Sequence, residues 1–241
     1  MKKKSIKSKT KISVIIPCYN EKSTIMKIVS KITNVKMNIE VLIVDDNSTD
    51  GSREIIKKIK NKKIKKKIFH KYNQGKGACI LSATKFISGE IVLIQDADLE
   101  YDPKDYTKLL KPFNSKDVNV VYGSRVLNKK KFFKDKSLAT NFRVFANFCL
   151  TFFSNIINFQ NLTDAHTCYK AVRVNLFKKL NLKEKDFAFC PELTTKLSNF
   201  NIKILEVPIS YNGRSYKDGK KIGIKDAFKV VYVIFKYKLS F

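Results

Sequence analysis

The sequence predicts an α/β fold with a mostly parallel central sheet and helices on both of its faces. Three observations predict it. Short runs rich in β-branched residues recur through the first half, at Ile12–Ile16, Glu40–Val44, Ile91–Ile94 and Val118–Tyr122, and such runs suit strands buried on both faces. Between them lie stretches with helical periodicity, clearest at Ile25, Ile28, Val29 and Ile32, the stripe of an amphipathic helix. The resulting alternation of strand and helix points to parallel strands joined by helical crossovers.

Taken in order, residues 1–10 are Lys-rich and aperiodic, which predicts a disordered basic arm ahead of one domain spanning 11–241. The strand at Ile12–Ile16 ends in Pro17-Cys-Tyr19-Asn-Glu21. The strand at Glu40–Val44 ends in Asp45-Asp46-Asn-Ser-Thr-Asp-Gly51, which offers caps to a helix over about 52–60,. Lys57 to Lys67 is strongly basic and reads as a solvated helix end and loop, or as a membrane-facing patch,. After a short strand near Lys67 to His70, Asn73-Gln-Gly75-Lys76-Gly77 opens a helix to about Phe86. Glycines there either let the backbone approach a phosphate or simply make a turn,.

The run Ile91–Ile94 delivers Asp96, Asp98 and Glu100 within five residues. Three carboxylates at one strand end repel one another, and a divalent cation such as Mg²⁺ or Mn²⁺, shared with substrate phosphates, removes that cost. An ordinary acidic loop reads the same way. Ligands of open α/β sheets bind beyond the carboxyl ends of the strands, so a metal–diphosphate site is the sharper expectation. Asp102-Pro103 leads into a helix carrying Leu109 and Leu110, and the strand at Val118–Tyr122 ends in Gly-Ser-Arg125.

The second half is less regular, and residues from about 130 to 241 form a membrane- or acceptor-facing part. Leu138 to Phe159 is Phe-rich but broken by Asn and Arg, so it suits a core helix or an in-plane membrane helix rather than a span. Cys190-Pro-Glu192 precedes a short helix, 202–209 reads as a strand, and 211–221 is a Gly-broken loop carrying Arg214, Lys220 and Lys221, of the kind that folds over a diphosphate,. Residues 224–239 suit a helix against the core or the membrane surface.

The chain has 241 residues, 44% of them hydrophobic, and a formal net charge of +28. Compositional bias and anionic partners both account for that charge: nucleic acid, an acidic membrane or phosphorylated substrates. No helix-turn-helix, zinc-finger or RNP-type pattern occurs, so nucleic acid is not the expected partner. Five scattered cysteines without a CxxC pair give neither a zinc site nor a disulfide framework and fit a reducing cytoplasm,. Neither a signal peptide nor a transmembrane helix is expected.

The assembled pieces resemble the family 2 glycosyltransferases of GT-A fold: Ile-Pro-Cys-Tyr-Asn-Glu21, Val44-Asp-Asp-Asn-Ser-Thr-Asp-Gly51, Asn73-Gln-Gly-Lys-Gly77, Asp96-Ala-Asp-Leu99, Gly123-Ser-Arg125, Thr163-Asp164, Pro191-Glu192 and Val207 through Ile222. Within that family the chain looks most like the dolichyl- and polyprenyl-phosphate sugar transferases and their bacterial relatives. The resemblance implies that Pro17, Tyr19 and Glu21 line a nucleotide pocket and that Asp46, with Asp45, holds the base or ribose. Lys76 lies near the nucleotide, Asp96 and Asp98 bind Mg²⁺ or Mn²⁺ with Glu100 as a further ligand, and Arg125 faces a phosphate. Arg214, Lys220 and Lys221 close over the diphosphate. It implies an inverting transfer from a nucleoside-diphosphate sugar to a lipid phosphate at the cytoplasmic membrane face, or to a hydroxyl of a lipid-linked or soluble glycan. A hydroxyl acceptor needs a general base, for which Asp164 and Glu192 are the candidates; a phosphate acceptor is already anionic and needs none. Where polyprenyl-phosphate mannosyltransferases carry Thr-Gly-Phe-Arg, this chain has His166-Thr-Cys-Tyr-Lys170, and it has no C-terminal pair of membrane helices.

Overall fold

A computed structural model describes residues 10–127, 138–214 and 224–240. The strands β1 (Ile12–Cys18), β2 (Ile39–Asp45), β3 (Ile64–Phe69), β4 (Ile91–Ile94), β5 (Val120–Ser124), β6 (Lys170–Arg173) and β7 (Ile204–Pro208) form one sheet in the order β3-β2-β1-β4-β6-β5-β7. β6 runs against its neighbours β4 and β5, and the remaining pairs are parallel. The fold is therefore the expected mostly parallel α/β sheet.

β1, β2 and β4 are buried at every residue, because each lies between two strands and under helices on both faces. Pleating divides their side chains between two cores. Ile12, Val14, Ile16 and Cys18 of β1 join one, with α1 (Ile25–Thr33), α2 (Ser52–Lys58) and α4 (Tyr106–Leu110). Ile15 joins the other, with α3 (Lys76–Thr84), α6 (Val174–Lys179) and α7 (Phe189–Asn199). The edge strand β3 carries Lys65, Lys66 and Lys67 in sequence, charges that discourage a further strand from pairing there.

The buried carboxylate Glu40 at the start of β2 ties this sheet together. It accepts from Ser13 Oγ at 2.6 Å and from the Ser88 N–H at 2.7 Å, and Lys11 Nζ lies 2.7 Å away. Burial pushes its pKa up, but these partners together outweigh it and hold the group down at about 2,.

The helix expected over the Phe-rich stretch is α5 (Leu138–Asn158), and it packs with α8 (Ile224–Leu239) and with α7, which itself lies on the sheet. Among the described residues no helix is long and apolar enough to cross a membrane. The five cysteines are free thiols. Residues 1–9, most of the expected basic arm, together with 128–137 and 215–223, which hold Lys220 and Lys221, lie outside the described residues.

Candidate active site

Because β6 alone opposes the others, the carboxyl ends of β1, β2, β4 and β5 meet at one sheet edge. β1 brings Pro17, followed by half-exposed Tyr19 and by Glu21; β2 brings Asp45 and then Asp46; β4 brings Asp96, Asp98 and Glu100; β5 brings Arg125. The turns after β1 and β2 are laced together, with Asn20 N–H donating to Ser48 Oγ at 3.0 Å and Glu21 N–H to Ser52 Oγ at 2.7 Å.

The segment after β7 closes over this edge. The Arg214 guanidinium pairs with Glu21 Oε2, and its Nε donates to the Asp98 carbonyl at 3.3 Å. Its backbone N–H donates to Glu100 Oε1 at 2.8 Å, while the Tyr211 hydroxyl donates to Glu100 Oε2 at the same distance. Glu100 thus clamps residues 211–214. Leu99, between Asp98 and Glu100, has φ 66°, a conformation uncommon for a bulky side chain and typical of constrained functional loops.

Lys76, the first residue of α3, reaches Asp96 with its ammonium and also lies 2.9 Å from Cys168 Sγ. Burial opposes that charge, yet the Asp96 carboxylate beside it keeps it well above the ordinary lysine range. Burial, then the charges of Asp96 and Glu100, push the Asp98 carboxyl up to about 7,. A hard divalent cation relieves that crowding, and a donor set made of carboxylate oxygens suits Mg²⁺ or Mn²⁺. The donor chemistry of these carboxylates suits such an ion, while in this structure Asp96 is paired with Lys76 and Glu100 holds residues 211–214.

Among the described residues, the three potential ligand atoms that come within 4.8 Å of one another belong instead to buried Asp46, His70 and Cys79. Those groups are already engaged. His70 Nδ1 lies 2.6 Å from Asp46 Oδ1 and Nε2 lies 2.9 Å from Ser82 Oγ, while Asp46 also accepts from the N–H groups of Gln74 and Gly75 at 2.9 and 2.7 Å. Asp46 therefore anchors the turn that starts α3. Asp45 pairs with Arg53 Nε at 2.7 Å, and its Oδ1 is buried without a hydrogen-bond partner.

The glycines of that turn are required by protein rather than by ligand. A Cβ on Gly77 would lie 2.1 Å from the Glu184 carbonyl oxygen, and one on Gly75, at φ 97°, would lie 2.6 Å from that of Lys185. The backbone of residues 184–186 packs directly on them, and Ala78 N–H donates to Lys185 O at 2.8 Å.

Both candidate bases are occupied. Arg125 donates to Asp164 Oδ2 through Nε at 2.7 Å and through its backbone N–H at 3.0 Å, and to Oδ1 through a terminal nitrogen at 2.8 Å. Burial raises the Asp164 pKa, but Arg125 brings it below the usual carboxylate value. Glu192, fully buried, accepts from the N–H groups of Lys183 and Glu184 and pairs with Lys196 at 2.7 Å. It fixes the loop that packs on Gly75 and Gly77.

Several partners lie beyond the reach of sequence patterns. Glu206 of β7 accepts from the N–H groups of Thr163 and Asp164 at 2.7 and 3.0 Å. Asn147 of α5 bridges Arg125 and Asp164 at 3.4 Å, and the Tyr211 ring lies 5.2 Å from the Arg125 guanidinium. These residues carry no local signal; the pairing of distant segments creates their roles.

A family model described as Glycosyl transferase family 2 matches residues 13–181. The chain belongs to this family. The match takes in β1 through α6 and with them Asp96, Asp98, Arg125 and Asp164, while Glu192 and Arg214 fall beyond it. This family 2 chain is 26% identical over 247 residues to the UDP-N-acetylglucosamine–dolichyl-phosphate N-acetylglucosaminyltransferase of Methanococcus voltae, covering 95% of this chain and 96% of that protein. It is 25% identical over 237 residues to the dolichol-phosphate mannosyltransferase of Pyrococcus furiosus, covering 95% of this chain and 64% of the longer relative. In fold it matches glucosyl-3-phosphoglycerate synthase from Mycobacterium tuberculosis, solved with Mn²⁺, uridine diphosphate and phosphoglyceric acid, at a TM-score of 0.70 and 16% identity over 96% of this chain and 80% of that one. The chain is a glycosyltransferase of GT-A fold.

Proposed function

We propose that this glycosyltransferase moves a sugar, with inversion at the anomeric carbon, from a nucleoside-diphosphate sugar to the phosphate of a polyprenyl-type lipid. The observation that carries the proposal is the occupation of both candidate bases. Asp164 is spent on Arg125, and Glu192 on two backbone N–H groups and Lys196. A hydroxyl acceptor must lose a proton to some base, whereas a phosphate monoester is a nucleophile near neutral pH without one. Two relatives that the chain resembles along nearly its whole length act, by name, on dolichyl phosphates.

In this reading Asp96 and Asp98, with Glu100 beside them, hold Mg²⁺ or Mn²⁺. When bound, the ion supplies positive charge against the diphosphate leaving group. Arg214, held between Glu21 and the acidic loop, adds a fixed cation there, and Lys220 and Lys221 are proposed to add two more. Arg125, held in place by Asp164 through its Nε and one terminal nitrogen, faces the incoming acceptor phosphate with its fixed positive charge. Pro17, Tyr19 and the Asp45–Asp46 turn bound the nucleotide, with the buried Asp45 Oδ1 as a spare acceptor for a base or ribose donor group.

The test is a transfer assay with UDP- and GDP-sugars, Mg²⁺ or Mn²⁺, and a short polyprenyl phosphate beside the matching polyprenol. The expected product is a polyprenyl-phosphate sugar of inverted configuration, absent with EDTA and absent with the polyprenol. Transfer to the alcohol, or to a glycan hydroxyl in preference to the phosphate, would refute the acceptor assignment.

A further inference from the structure

Helix α5 is built inside out. Among its described side chains, the inward side carries Asn147, Thr151, Asn155 and Asn158, and each makes a hydrogen bond. Asn147 meets Arg125 and Asp164; Thr151 Oγ1 accepts from Ala165 N–H at 3.4 Å; Asn155 holds Leu162 through both its N–H and its C=O, at 3.0 and 2.8 Å; Asn158 donates to Thr195 Oγ1 at 3.2 Å. Its outward side carries Phe145, Phe148, Phe152 and Ile156, with Phe159 just beyond the helix end, and these are between 53% and 89% exposed. The four helical residues fall within about 80° of arc at 3.6 residues per turn. A helix at a water surface has the opposite polarity.

α8 continues the same face. Phe228, Tyr232, Phe235 and Leu239 are between 42% and 81% exposed and share one side of the helix. α5 and α8 pack together, with the Phe153 and Phe235 rings 5.7 Å apart, so the two apolar stripes adjoin. Half-exposed Lys229 and Lys236 flank the α8 stripe and pair with Asp186 and Glu184.

We propose that the outer faces of α5 and α8 together dock in the plane of an anionic lipid bilayer. Exposed apolar surface on this scale marks an interaction site, and charge selects the occupant. The chain carries 49 basic against 21 acidic residues, so a second copy is repelled while anionic headgroups attract it. Lys229 and Lys236 beside the stripe are paired within the protein, so the attraction to anionic headgroups comes from the excess charge of the chain as a whole,. The consequence for catalysis rests on the lipid-phosphate reading above. Asn147, on the inward side of α5, touches the Arg125–Asp164 pair, so the phosphate-binding arginine sits about one helix diameter, ~10 Å, from the buried apolar face. A polyprenyl phosphate anchored in the same bilayer presents its phosphate near that depth.

Co-sedimentation with vesicles of phosphatidylcholine, with and without phosphatidylglycerol, tests the face directly. Wild type is expected to bind the phosphatidylglycerol vesicles. Phe148→Ser/Phe152→Ser and Phe228→Ser/Tyr232→Ser are each expected to bind them at least about tenfold more weakly, with an unchanged urea unfolding midpoint because the replaced side chains are exposed. Vesicle binding by the variants equal to wild type overturns the proposal. So does a wild-type dimer that these substitutions convert to monomer, since protein then covers the face. The acceptor reading fails separately: docking without transfer to polyprenyl phosphate upholds the face, whereas transfer to a short soluble polyprenyl phosphate by a protein that ignores vesicles refutes it.

Discussion

Arg125 and Asp164 form a buried pair in which each residue depends on the other. Removing the arginine strands a buried carboxylate, so Arg125→Ala is expected to lose roughly 3–5 kcal/mol of stability as well as activity, and an activity loss in that variant is ambiguous. Arg125→Lys is the informative change. It keeps the charge but loses the fork that holds Asp164 and fixes where that charge points, so transfer is expected to fall about 100-fold with a much smaller change in unfolding midpoint. Asp164→Asn separates base from positioner: with Asp164 spent on Arg125, the pH–rate profile keeps its shape while its height drops, and the loss of an acidic limb would reinstate Asp164 as a base. Glu40 gives a prediction in stability alone. Its folded-state pKa of about 2 lies below the ordinary 4.5, so its contribution is fully present above pH 4.5 and disappears as pH falls through 2. Urea unfolding from pH 6 to pH 2 is therefore expected to show wild type exceeding Glu40→Gln by on the order of 2–3 kcal/mol at the upper end, with the gap closing toward pH 2. A gap independent of pH would place the effect in packing rather than charge.

At the scale of elements, the turn entering α3 shows how a sequence signal can be correct in place and different in cause. Gly75 and Gly77 stand where glycines are needed, yet the close approach is by residues 184–186, more than a hundred positions away in the chain. Gly77→Ala would put a methyl group 2.1 Å from the Glu184 carbonyl oxygen, and backbone on both sides must move. The expected cost is about 3 kcal/mol or more in unfolding free energy, accompanied by weaker nucleotide binding because Lys76 starts the same helix. A near-neutral Gly77→Ala would mean that the 184–186 loop yields easily. The strands β1, β2 and β4 were legible because burial on both faces leaves unbroken apolar runs, and α1 because its stripe is regular. β6 was not, since four residues with Lys170 and Arg173 at their ends carry no periodicity, and Lys170 is buried through a bond to the Ala165 carbonyl and the face of Tyr122. α5 was legible as a helix but its orientation was not, because turning Phe outward and Asn inward depends on the partners that its polar groups find.

For the whole molecule, the edge that gathers Glu21, Asp46, Asp98 and Arg125 followed from alternation and strand ends, and the Gly-broken loop from Tyr211 was expected to fold over it, whereas the grip of Glu100 on Tyr211 and Arg214 could come only from three dimensions. The net charge was legible outright, and it carries its own consequence. Even if every acidic side chain were paired, 28 basic groups would remain in excess, so charge repulsion within the folded chain exceeds attraction. Salt weakens both, but it acts most on the long-range repulsion among exposed lysines, since the Debye length shortens from about 30 Å at 0.01 M to about 10 Å at 0.1 M. Buried pairs such as Arg125–Asp164 and Arg53–Asp45 are screened far less. Raising NaCl from 0.01 to 0.2 M is therefore expected to raise Tm, by about 3–6 °C for relief of one to two kcal/mol in a chain of this size. The measurement needs chloride, because sulfate or phosphate bound at Arg125 or Arg214 would stabilise by mass action and mimic the effect. A Tm that falls with NaCl would mean that exposed ion pairs, such as Lys236–Glu184, outweigh the excess charge.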